Sequence, residues 1–233
     1  MDKVIGLVMV KNEEDIIKEM LNKNGRFMDF VVIDNGSTDD TYNIVKAHPK
    51  VLEHIQDNGV YDENRLIKQL LAMANKYNAD WYFEIDADEI IDDSFSELNL
   101  DILDPKINCV TFKIHYRFPD GKCYKVYDYW QRLYKNLGFS EQNINTEIKK
   151  LHMGRCPILR SQRVFYHSHI PIHHYQIRSY EQGMRKYNQY VSLDIEKKYQ
   201  PRGYEHLKNM ANAIKTGDYS GFIFTNRAGI KRV

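Results

Sequence analysis

The chain has 233 residues, 42% of them hydrophobic, with 33 Lys plus Arg against 32 Asp plus Glu and a formal net charge of +1. That apolar content supplies a sizeable core and excludes a disordered chain, while the near balance of charge leaves no global field to recruit nucleic acid or an anionic membrane. The three cysteines, Cys109, Cys123 and Cys156, are odd in number and form no C-x-x-C pair, which argues against a disulfide framework or a thiolate metal site and fits a reducing, cytoplasmic setting.

The first apolar run, VIGLVMV at 4–10, is continuous rather than alternating, as expected of a parallel strand covered on both faces. It is too short for a membrane span and has no small-residue cleavage site. NEEDIIKEMLNKNG follows as a helix, with Asn12 as the expected N-cap and Gly25 as the stop. FVVID (30–34) repeats the strand signal and STDDTYNIVKAH the helix signal, with Ser37 and Asp40 spaced as a variant capping box. VLEHIQ (51–56) reads as a third strand. DENRLIKQLLAMANKYN (62–78) places Leu66, Leu70, Met73 and Tyr77 on one helical face, and WYFEID (81–86) is the fourth strand.

Strands alternating with helices at this spacing predict an α/β fold with a mostly parallel, Rossmann-like sheet and right-handed crossovers. Ligands of such sheets bind outside the carboxyl ends of the strands, where Asp34 and Asp86 are expected. Beyond residue 100 the pattern changes. INCVTFKIHYRF, the turn PDGK and CYKVYDYWQRLYK read as a hairpin of two long strands. RVFYHSHIPIHHYQI alternates like a strand, and two helices, SYEQGMRKYNQYVSLDIEKKY and EHLKNMANAIKTG, follow. With no linker or repeat, residues 1–233 are expected to form one domain, in which residues 101–233 build on 1–100.

The chemistry concentrates in DADE at 86–89. If this segment is extended, Asp86 and Asp88 project to one side, roughly 6–7 Å apart. Paired carboxylates suit a hard divalent cation such as Mg2+ or Mn2+, which keeps open positions for phosphates. A short D-x-D alone is far more often a solvated turn, by roughly ten to one. Its place after a strongly apolar strand in a βα series is what favours the metal reading.

VKNEED at 10–15, VVIDNGSTDDT at 31–41 and WYFEIDADE at 81–89 together resemble the family 2 glycosyltransferases of the GT-A fold, over roughly the first 100 residues. The resemblance implies that Asp34 contacts the nucleoside base, that Val10 to Asn12 line its pocket and that Asp86 lies near the ribose. It places Asp88 on the metal bridging the two phosphates and Arg65 near the nucleotide. It also implies a C-terminal histidine as a further metal ligand, for which His173 or His174 is the candidate. The four histidines of HSHIPIHH match no zinc spacing.

The activity implied is transfer of a sugar from a nucleotide-diphosphate sugar, with UDP favoured, to an acceptor hydroxyl with inversion. The acceptor is expected to be a glycan, a lipid-linked sugar or a protein. Inversion needs a base for the acceptor proton; Glu147 is the candidate, with Glu141 and Glu89 as alternatives. Trp130 is a candidate platform for a sugar ring, against ordinary core packing, and Arg132 either meets a phosphate or pairs with a surface acid.

The competing readings are a non-catalytic nucleotide or carbohydrate-binding module and, ranked lower, a phosphotransferase of the haloacid dehalogenase type. The latter carries its D-x-D near the first strand. A nucleotidyltransferase would need a glycine-rich basic loop after strand 1, and neither a P-loop nor a G-x-G-x-x-G is present.

Overall fold

Four apolar runs become the parallel half of a sheet. The computed structural model describes residues 2–139, 156–194, 200, 203–222, 224–226 and 229–231. Its first strands are β1 (Val4–Val10), β2 (Asp29–Asp34), β3 (Val51–Gln56) and β4 (Trp81–Glu84). They pair in parallel, β1 lying between β2 and β4, and β3 outside β2. The helices between them are α1 (Ile17–Asn24), α2 (Thr41–Ala47) and α3 (Glu63–Ala74). Ile5, Leu7, Val8, Val31, Val32 and Ile33 are essentially inaccessible; burying each such side chain stabilises by about 1.5–3 kcal/mol. At Gly6 a Cβ would lie 2.5 Å from the Phe30 ring, so the backbones of β1 and β2 carry an aromatic side chain there only because Gly6 has none.

After β4 come a short β5 (Glu89–Ile91), the long pair β6 (Cys109–Arg117) and β7 (Cys123–Lys135), and β8 (Phe165–His174). The eight strands order as β3-β2-β1-β4-β7-β6-β8-β5, with β7 antiparallel to β4. The mixed α/β architecture is that of a GT-A fold. The expected hairpin closes through Gly121, whose φ of 83° suits a residue without Cβ and whose N–H donates to Phe118 O (2.9 Å). Helices α4 (Tyr180–Leu193), capped by Ser179, and α5 (Glu205–Thr216), stopped by left-handed Gly217, follow. The strands β9 (Phe224–Asn226) and β10 (Gly229–Lys231) pair antiparallel.

The chain sorts into two compact units. Met1–Lys113 with Asp128–Ile172 form the first, and Ile114–Tyr127 with His173–Val233 the second. The first holds β1 to β5 and a core of α3 residues Leu66, Leu70 and Met73 with Tyr82 and Tyr134. The second has its own core, in which Phe118 and Ile177 meet Leu207, Met210 and Ala211 of α5.

Three local expectations need correction. Asn12 is not an N-cap: it sits at φ 54°, accepts from Thr38 N (2.8 Å) and donates its own N–H to Ser37 Oγ (2.9 Å), and α1 starts only at Ile17. Its side chain therefore ties two loops instead of starting a helix. The Ser37/Asp40 capping box does not form, because Ser37 N–H goes to Asp34 Oδ1 (2.8 Å) while Asp39 accepts from Thr41 N (3.1 Å). Strand β4 ends at Glu84, two residues early, because the chain turns at DADE.

Candidate functional site

At the carboxyl ends of β1 and β2, Val10 pairs with Asp34, and Asn35 N–H donates to Val10 O (2.8 Å). Asp34 is fully buried. Its Oδ1 accepts from Ser37 N (2.8 Å) and Gln56 Nε2 (3.3 Å), whereas Oδ2 is a buried oxygen with no hydrogen-bond partner, as is Oδ1 of Asn35 beside it. An unmatched buried carboxylate oxygen costs about 1–3 kcal/mol or more, and a donor from a ligand would remove that cost. Asn12, holding Thr38 and Ser37, closes the same end of β1.

Arg65 is committed elsewhere at this edge. Its guanidinium forks onto Asp57, with Nη2 donating to Oδ1 (3.3 Å), a shorter contact from Nη1 to Oδ2, and a further bond to Val60 O (3.1 Å). Arg65 holds the Asp57 carboxyl below the usual range, with help from the Gly59 N–H. Asp57 N–H in turn donates to Asp34 O (2.7 Å). Arg65 thus orders the backbone behind Asp34 through Asp57.

The DADE segment is a tight turn, which corrects the extended reading. Glu89 N–H donates to Asp86 O (3.0 Å), and Glu89 Oε2 accepts from Asp86 N (3.0 Å). Within the turn Asp86 is partly exposed, Asp88 is buried and Glu89 is inaccessible. Self-repulsion among these acids is offset by a guanidinium: Arg132 of β7, also buried, donates through Nη2 to Asp86 Oδ2 (3.2 Å) and, at shorter range, to Glu89 Oε1. From the other side the Asn24 amide grips the backbone, donating to Glu89 O (2.9 Å) and accepting from Ile91 N (2.8 Å). Glu89 is therefore the hub of the turn, and its carboxylate is engaged by the chain itself.

Asn24 was not expected from the sequence. Asn24 stands on the apolar stripe Ile17, Met20, Leu21, Asn24 of α1; a polar side chain in a buried stripe was the available signal. Arg132 and Glu89 each stood out in the sequence, but nothing local joined them, since they lie 43 residues apart in the chain.

His173 and His174 belong to the second unit, where His173 Nδ1 accepts from Arg117 Nε (2.8 Å) and the His174 ring lies 4.7 Å from Tyr116. Glu147 and Glu141 lie outside the described residues. Trp130 is 46% exposed, so it does not pack in the core. Among the described residues no group of three or more His, Cys, Asp or Glu is arranged to hold a metal. Nor is any described helix long and apolar enough to cross a membrane.

Comparison with known proteins bears on this edge of the sheet. Staphylococcus aureus TarS (residues 1–349) aligns over 94% of this chain and 73% of its own, at 12% identity and TM-score 0.50, a likeness of fold. A second TarS structure aligns at TM-score 0.39 and 22% identity over 49% of this chain and 22% of TarS. A third, in complex with UDP-GlcNAc, aligns at TM-score 0.38 and 23% identity over 49% and 35%. In these partial matches the chain spans well under half the length of TarS. No curated protein matches. The family described as Glycosyl transferase family 2 matches residues 7–168, a stretch that takes in β1, Asp34, the DADE turn and Arg132, and the chain belongs to that family.

Proposed function

We propose that the chain transfers a glycosyl group from a nucleotide-diphosphate sugar, a UDP-sugar first among the donors, to an acceptor hydroxyl with inversion at the anomeric carbon. The observation that carries this reading is the buried, unpartnered Oδ2 of Asp34 at the carboxyl end of β2, beside the acidic turn that follows β4. In this reading Asp34 Oδ2 accepts an N–H of the nucleoside base, the backbone from Val10 to Asn12 walls the pocket, and Asp86 accepts from a ribose hydroxyl. Arg65 keeps the loop carrying Asp57 in place.

Asp88 and Asp86 offer hard oxygen donors. They are too few to cage a cation alone but sufficient for Mn2+ or Mg2+ that takes its other ligands from the donor phosphates. A bound cation would supply Lewis-acid stabilisation of the departing diphosphate. The chain's own tasks are to position the phosphates against the turn, to hold the turn through Glu89, Arg132 and Asn24, and to accept the acceptor's proton on a carboxylate, for which Glu147 is the candidate.

The test is nucleotide release from UDP-GlcNAc, UDP-glucose and UDP-galactose in the presence of Mn2+ and mixed glycan acceptors. Release with one donor, reduced at least 100-fold in Asp88→Asn, supports the reading; that factor corresponds to about 2.7 kcal/mol of transition-state stabilisation. Binding of a nucleotide without release from any donor would favour a non-catalytic module instead.

A further inference from the structure

Cys109 and Cys156 are far apart in sequence, but the fold brings them together in the core of the first unit. Both are buried, at 0% and 2% exposure. Around them runs a closed set of polar contacts. Gln131 Nε2 donates to Cys109 Sγ (3.3 Å), Arg163 Nη1 donates to Gln131 Oε1 (3.0 Å), and Arg163 also donates through Nη2 to Cys156 O (3.1 Å) and through Nε to Ile158 O (2.8 Å). Gln131 thus links Arg163 to the Cys109 sulfur, and Arg163 links Gln131 to the Cys156 backbone, so one polar network spans both cysteines. Purely structural cysteines sit in apolar surroundings and are inert, whereas a guanidinium beside a thiol favours its reactive thiolate. Gln131 and Arg163 are themselves only partly buried.

The pair divides its protons unevenly. The hydrogen bond with Cys156 and burial push the Cys109 thiol up. Burial alone would raise Cys156 too, but the Cys109 hydrogen bond and the Arg163 charge outweigh it and bring Cys156 below the usual thiol range. Cys156 is therefore the sulfur that attacks and Cys109 the one that resolves.

We propose that Cys109 and Cys156 form a two-cysteine oxidation site that reacts with hydrogen peroxide and closes to a disulfide. In the first step the Cys156 sulfur bonds to one peroxide oxygen as the O–O bond breaks, giving a sulfenic acid and one water. In the second, the Cys109 sulfur displaces the hydroxyl of that sulfenic acid. The S–S bond forms, the S–O bond breaks, and the two protons leave with the oxygen as a second water. Two thiols are oxidised and one peroxide is reduced to two waters. The disulfide so formed has an S–S bond of ~2.05 Å. This site stands independently of sugar transfer. The third cysteine, Cys123, lies in the second unit with its thiol donating to Lys125 O (3.5 Å), and it serves as an internal control.

The test treats the folded, full-length chain with hydrogen peroxide, quenches, alkylates under denaturing conditions and maps the peptides by mass spectrometry. The expected result is loss of two of the three alkylatable thiols, with a cross-linked peptide joining Cys109 to Cys156, reversed by dithiothreitol. Cys109→Ser and Cys156→Ser each abolish the cross-link and Cys123→Ser does not; should a variant fail to fold, the wild-type peptide map still decides. Three alkylatable thiols after treatment, a lone sulfinic acid without a cross-link, or a cross-link involving Cys123 would each overturn the proposal.

Discussion

Arg132 and Glu89 are the residues on which the acidic turn depends. Their side chains are 8% and 0% exposed, so removal of the arginine leaves a buried carboxylate without its cation. Breaking such a pair costs about 3–5 kcal/mol. Arg132→Ala is expected to lose about 3 kcal/mol in urea unfolding and most donor affinity. Arg132→Met with Glu89→Leu should recover the stability without recovering the affinity. At Asp34 the expectation is reversed: Asp34→Asn keeps an Oδ1 acceptor for Ser37 and Gln56 and alters only the orphan oxygen. Stability should change little, while nucleotide affinity falls 10–100-fold, or about 1.4–2.8 kcal/mol, as read by calorimetric titration. Asp57 gives a pH signature. Its folded-state pKa is held below 3.8 by Arg65, so its contribution is fully present above about pH 5 and is lost as pH falls through the folded value. The stability advantage of the wild type over Asp57→Asn should accordingly be flat from pH 5 to 7 and shrink below about pH 4; an advantage that grows with acid would contradict the pairing.

Among the elements, the parallel strands were legible because continuous apolar runs buried on both faces leave an unmistakable trace. Strands β1 and β3 run as read, and β2 begins one residue earlier. Strand β5 left no trace, since three residues, Glu89–Ile91, are too few to show a period, and without β5 the DADE turn reads as the end of a long strand. The helix starts were misread at Asn12 and Ser37 for a related reason. Their side chains answer each other across two loops, and a cap is indistinguishable in sequence from such a tie. Asn24 substitutes for a neighbouring strand at β5, so Asn24→Ala leaves a buried carbonyl and N–H unmatched. It should cost about 2 kcal/mol or more, with faster amide exchange at Ile91 than in β1. In the second unit, helix α4 meets α5 at Gly183, where an added Cβ would lie 2.6 Å from Ala211 Cβ and 2.9 Å from Ile177 Cγ2. Gly183→Ala should cost about 1–3 kcal/mol by overpacking, measurable as a lowered urea midpoint.

On the scale of the whole molecule, each compact unit has its own core, and the matched family segment, residues 7–168, falls mostly in the first. That unit carries Asp34, Arg65, the DADE turn and Arg132, and its motifs are short and contiguous, which is why they stood out in the sequence. Ring contacts and cation–aromatic contacts in the second unit, such as Lys125 over Tyr127 at 4.2 Å, have no short sequence signature. The central claim is that the carboxyl edge of β1, β2 and β4 binds a nucleotide diphosphate. Ligand at about 100 times its dissociation constant stabilises by roughly 2.7 kcal/mol, which for a chain of this size raises the melting midpoint by roughly 5–10 °C. The most direct measurement is a thermal-shift comparison of wild type and Asp34→Asn with UDP, GDP, CDP and ADP, each with and without Mn2+. The account predicts a shift of that size for one nucleotide in the wild type, enlarged by the metal and largely absent in Asp34→Asn. An equal shift in both proteins, or none with any nucleotide, would contradict it.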